Sequence, residues 1–145
     1  MTRPLDAASR AKLVKRFAAI PDRLKATARR VIEEEAGSMV EEMKRGAPRD
    51  DGDLQASIRH ADDSTDFQIK RRVSAGGPLT TKPVRNSSKG NAPTYDYANA
   101  AEHGTIDTPA TPFFFPVYRR RRKRFKAKLA RELKKTAEAK GPGGV

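Results

Sequence analysis

Ala47-Pro48-Arg49-Asp50-Asp51-Gly52-Asp53-Leu54-Gln55-Ala56-Ser57-Ile58 and Tyr97-Ala98-Asn99-Ala100-Ala101-Glu102-His103-Gly104-Thr105 decide the fold, the second stretch being followed by Pro112-Phe113-Phe114-Phe115-Pro116. Each is punctuated by Gly and Pro where a helix must stop and another element begin. Pro48 disfavours helical backbone in the residue before it, and Gly favours the left-handed cap. Together the two stretches mark the corners of one compact domain.

Working outward, Leu24, Ala28, Val31, Ile32, Ala36, Met39, Val40 and Met43 recur at three- and four-residue steps, the stripe of an amphipathic helix. Pro21-Asp22 starts it and Gly46-Ala47-Pro48 ends it, so a helix over 22–45 is expected, about 36 Å long at about 1.5 Å per residue. Before it, Leu13, Phe17 and Ile20 predict a shorter helix, separated or kinked at Pro21. Arg49 to Asp53 is a cluster of turn formers. Leu54 to His60 and Phe67 to Val73 show partial alternation and predict two paired antiparallel strands, joined by a polar connection over 61–66.

Residues 76–94 are rich in Gly, Pro, Ser, Asn and Lys and predict a long mobile loop, with a short strand near 79–85. Tyr95 to His103 predicts a short helix closed by Gly104, and 105–111 an extended linker. The last helix begins at Phe113 or Pro116, since Pro suits a first helical turn. Tyr118, Phe125, Leu129 and Leu133 lie near one of its faces. The expected domain is 1–140, with 141–145 a disordered tail.

The chain has 145 residues, 36% of them hydrophobic and 6% aromatic, a composition that gives one domain with a small core. Oligomerisation is the natural source of further burial. No apolar stretch is long enough to cross a bilayer, and the N-terminus lacks a secretory core, so a cytoplasmic location before assembly and no membrane partner are expected. Cysteine is absent, which removes disulfides and thiolate chemistry. The net charge of +13 is concentrated at the C-terminus: residues 113–145 hold 12 basic and 2 acidic groups, whereas 49–112 hold 8 and 9.

The run Arg119-Arg120-Arg121-Arg122-Lys123-Arg124, continued by Lys126 and Lys128, is the strongest electrostatic feature. Six consecutive basic residues surround a helix axis, so some must point toward protein. Three readings stay open: a solvated face, sequence-independent contact with DNA phosphates, and contact with acidic surfaces of neighbouring subunits. Glu33-Glu34-Glu35 and Glu41-Glu42 are expected to be exposed on the long helix, with Glu34 and Glu41 available to meet the basic helix of a neighbour. Phe113, Phe114 and Phe115 cannot all face one core, so they are candidates for a subunit interface.

Asp50, Asp51 and Asp53 lack the spacing of a calcium loop and are read as turn formers; no metal and no cofactor are expected. Glu102 and His103 point apart on a helix, and no nucleophile motif or phosphate loop accompanies them, so neither catalysis nor a small-molecule substrate is expected.

The order A-P-x-D-x-G-x-L-x-x-S-I, then Y-A-x-x-x-E-x-G-T, then P-F-F-x-P before a basic helix resembles the gene-product-ten-like neck and tail-completion proteins of long-tailed double-stranded DNA phages. The positions that carry it are Pro48, Asp50, Gly52, Leu54, Ser57 and Ile58, then Tyr97, Ala98, Glu102, Gly104 and Thr105, then Pro112, Phe113 and Pro116. The resemblance implies a non-enzymatic virion protein of a phage, prophage or gene transfer particle. It would form part of a ring around the DNA channel at the head–tail junction. Its partners would be copies of itself, head-closure or portal-side proteins, tail-terminator or tail-tube proteins, and channel DNA.

The expected fold is α+β: a long N-terminal helix and a C-terminal helix packed on a small antiparallel sheet, with the loop at 76–94 projecting. The alternative function is a free-standing, sequence-independent double-stranded DNA-binding protein that uses the basic helix.

Overall fold

A computed structural model describes residues 4–83 and 94–139. The expected tail at 141–145, and most of the loop expected at 76–94, lie outside the described residues.

Among the described residues, five helices and four short strands give an α+β fold. Helix α1 spans Ala7–Ala18 and is capped by Asp6, whose side chain accepts the Ser9 N–H at 2.6 Å. Pro21 separates it from α2, Asp22–Gly46. The buried side of α2 is the expected stripe, with Val31 and Met43 wholly enclosed and Ala36, Met39 and Val40 nearly so. Its end differs from expectation in one detail. Gly46 has no left-handed backbone; the helix stops at Ala47, which is extended (ψ 142°) ahead of Pro48.

The first corner departs further. Leu54 to His60 was expected to be one strand, but Asp53–Ser57 is a short helix, α3, and strand β1 begins only at Arg59 and runs to Asp62. Local bonds decide it. Gly52 takes φ +87°, Asp51 Oδ1 accepts the Asp53 N–H at 3.0 Å, and Ser57 Oγ donates to the Leu54 carbonyl at 2.6 Å. Leu54 and Ile58 are four apart, a helical interval, and both are buried, at 3% and 1% exposure.

β1 pairs antiparallel with β2, Arg71–Ser74, in the register His60 opposite Val73. β3, Thr81–Pro83, pairs with β4, Thr94–Asp96, so the region expected as a loop carries a strand pair at its base. The strands therefore form two separate two-stranded sheets rather than one. Helix α4, Tyr97–His103, follows β4 directly, and α5 runs from Phe115 to Glu138.

One hydrophobic cluster joins all three sequence signatures. Met39, Val40 and Met43 of α2 meet Ala47, Leu54 and Ile58 of the first, Ala98 of the second, Phe113 of the third, and Val117 of α5. α5 lies antiparallel along α2, with Arg23 donating to the Ala139 carbonyl at 2.6 Å at one end and Arg121 reaching Glu42 at the other. Between these ends the Thr27 and Thr136 hydroxyls meet at 2.8 Å.

Candidate interaction surfaces

The corner is organised by three carboxylates that bind backbone. Glu102, on the buried side of α4, accepts the N–H groups of Phe113 (2.8 Å), Phe114 (3.0 Å) and Phe115 (3.0 Å). The N–H groups of Phe114 and Phe115 are donors that the start of α5 leaves without helical partners, and that of Phe113 comes one residue before the cap. A negative charge there also suits the helix dipole. Burial pushes the Glu102 carboxyl up, but the three amides, with help from His103, outweigh it and hold its pKa below the ordinary glutamate value.

Asp96 caps α4 in the same manner. It accepts from the N–H groups of Ala98 and Gly77, both at 3.0 Å, and from the Thr80 hydroxyl at 2.5 Å. Burial again pushes upward and is again outweighed, so its pKa is lowered. Gly76 (φ +94°) passes so close that a Cβ there would collide with the Asp96 carboxylate, and its N–H donates to Ser57 Oγ at 3.0 Å.

Asp51 links the first signature to the second through the Tyr97 hydroxyl, 3.1 Å away. It is held down to a pKa of about 2 by its hydrogen bond to Lys82 and then by the Asp53 N–H. The motif residue Asp50 is exposed, and its neighbour Asp51 makes these bonds instead. Pro48 follows the stop of α2, Pro112 is exposed ahead of the buried Phe113, and the Thr105 hydroxyl accepts the Thr108 N–H at 3.0 Å.

Along α5 the basic run divides by direction. Arg121 points inward to Glu35 (3.0 Å) and Glu42; Arg120 also reaches Glu42, and Lys128 approaches Glu34 at 3.9 Å. Acidic partners for three of the basic residues thus lie within the same chain. Glu35 was expected to be exposed and is 9% exposed, enclosed by this pairing, whereas Glu34 and Glu41 remain open to solvent. Arg119, Arg122, Lys123, Arg124 and Lys126 are exposed, with no carboxylate in ion-pair range among the described residues.

The three phenylalanines also separate. Phe113 is buried in the core of the protomer, at 2% exposure, which removes it as an accessible interface residue; Phe114 is half-buried, and Phe115 is 40% exposed. The Phe115 ring lies tilted against that of His103 with centres 6.0 Å apart, and the Arg119 guanidinium carbon lies 5.9 Å from the Phe115 ring centre. Beside it opens a groove of about 540 Å³ between α2, β2 and α5. Its lining is apolar at Ile32, Ala36, Met39, Phe125, Phe115 and Tyr118, and charged at Glu35 and at five basic residues, among them Arg122 and Lys126 of α5. Sequence reading did not identify this groove, because its walls come from three distant segments.

Among the described residues no cluster of His, Asp and Glu could hold a metal ion, and no helix is long and apolar enough to cross a membrane. The buried carboxylates are engaged by the protein's own backbone and arginines, and the uncovered features are an apolar groove and a basic helix face. Residues 11–104 match the model of the family described as "Bacteriophage HK97-gp10, putative tail-component", and the chain belongs to this HK97-gp10-like family. The match ends at Gly104, so α5 lies beyond it. No curated protein matches, and no solved structure matches.

Proposed function

We propose that this tail component is a non-enzymatic subunit of a ring at the head–tail junction, joining the DNA-filled head to the tail. The observation that carries the reading is the uncovered apolar groove beside the basic helix, on a protomer with a small core in a phage tail-component family. Such a surface suits a subunit that completes its burial on assembly. Copies of the chain would be its lateral neighbours, and head-closure and tail-tube or terminator proteins its axial ones. Deleting the gene tests this: separate filled heads and tails should accumulate, and normal joined particles would refute the reading.

A second reading concerns DNA. Arg119, Lys123 and Arg124 are exposed and free of carboxylate partners among the described residues, which suits sequence-independent contact with phosphates, either in the channel or by the free protein. Binding of the purified chain to duplex DNA should then weaken steeply with salt. Unchanged affinity after all three are replaced by Gln would remove this reading.

A further inference from the structure

The turn after Gly104 is built as a rigid knob. The Thr105 N–H donates to the Thr108 carbonyl at 2.8 Å, the Thr108 N–H returns to the Thr105 hydroxyl at 3.0 Å, and the Thr111 N–H donates to the Ala101 carbonyl at 2.8 Å. Gly104 (φ +79°) lets the chain fold back so tightly that a Cβ there would lie 2.8 Å from the Ala110 nitrogen. At the tip stands Ile106, fully exposed, with Asp107 beside it. Tight turns are formed by Gly, Pro, Asn, Asp or Ser, and nothing in this turn's hydrogen bonding requires a branched apolar side chain. A preformed knob also binds with little loss of conformational entropy.

We infer that Ile106 of one copy of this chain docks in the groove between α2, β2 and α5 of the next, with Asp107 facing Arg122 and Lys126. The inference rests on the ring reading and names its lateral contact. The groove's lining is largely apolar, as Ile106 requires; its carboxylate, Glu35, is paired with Arg121, and of its five basic residues three are paired with Asp63 or Glu33, which leaves Arg122 and Lys126 free of carboxylate partners among the described residues. Self-association of a chain with net charge +13 needs such local complementarity. The knob comes from the near-neutral middle of the sequence and the groove edge from the basic end, so the most strongly charged segments are not set against each other. Knob and groove are different surfaces, which makes the contact head-to-tail, the kind that closes rings.

The chain has no cysteine, so disulfide trapping is clean. In a phage lacking the gene, complementation is performed with a chain carrying both Ile106→Cys and Tyr118→Cys, with each single variant, and with the two singles mixed. Joined particles are then oxidised and run on non-reducing gels. The double variant should give a ladder of multimers, the mixture dimers only, and each single variant none. A dimer from Ile106→Cys alone, a link from Tyr118→Cys to a different virion protein, or no ladder in particles that contain the double variant would each overturn the assignment. Ile106→Asp should lower the yield of joined particles about tenfold or more, as loss of a central apolar anchor does, while leaving the chain's melting temperature unchanged. Normal joining by Ile106→Asp would also overturn it. The ring reading fails separately, if particles join normally without the gene.

Discussion

Glu102 and Glu35 are buried to nearly the same degree, at 7% and 9% exposure, yet they are satisfied in opposite ways. Glu102 binds three backbone amides at the start of α5, and Glu35 binds the Arg121 guanidinium across the face where α2 meets α5. A backbone amide is fixed by the fold and carries no side-chain entropy, so the corner depends on a carboxylate at one position and on the chain returning at the right place. An ion pair between helices depends on two flexible side chains, either of which could be exchanged for another partner. The corner is therefore architecture, and the helix face is a surface on which charge can be redistributed.

The largest test of that contrast is Glu102→Ala. It leaves three N–H groups without acceptors, one of them buried, and should cost about 3–4 kcal/mol in urea unfolding. A loss below about 1 kcal/mol would mean that water replaces the carboxylate and that the corner is not held by it. Next comes Gly104→Ala, which combines a left-handed backbone with a clash against the Ala110 nitrogen and should cost about 2 kcal/mol. Arg121→Ala should cost about 1–2 kcal/mol by leaving the enclosed Glu35 without its counter-charge, less than the corner because removing the partly exposed arginine opens the carboxylate to water.

Acid sharpens the same comparison. Glu102 has a folded pKa below its ordinary value near 4.5, so its contribution is fully present above that value and is lost as pH falls through the folded pKa. Unfolding midpoints should thus drop as the pH falls below the ordinary glutamate value in the native chain, and drop less in Glu102→Gln, whose amide does not titrate. At the small end, Lys123→Gln and Arg124→Gln should shift stability by less than about 0.5 kcal/mol, since both side chains are exposed.

Much of this was legible in the sequence because it is local. The apolar stripe of α2, the break at Pro21 and the stop before Pro48 depend on neighbours within a turn. The six basic residues had to surround a helix, and Arg121 does point inward; three phenylalanines in a row could not share one core, and they do separate. The short helix at Asp53–Ser57 was misread because the alternation of Leu54 to His60 is weak, and the bonds of Asp51 and Ser57 outweigh it. Glu102 stood out only as a motif position. Its three donors lie eleven to thirteen residues downstream, beyond any periodicity. The burial of Glu35 and the groove were hidden for the same reason, since both require α5 to lie against α2.

The central claim is that the corner holds the fold while the groove edge on α5 serves neighbours. The most direct measurement is complementation of the gene deletion by Arg122→Glu/Lys126→Glu, with thermal melting of the same purified chain. A native melting temperature is expected together with separate filled heads and tails and at least about a tenfold loss of joined particles. Joined particles at the native yield from that chain would contradict it.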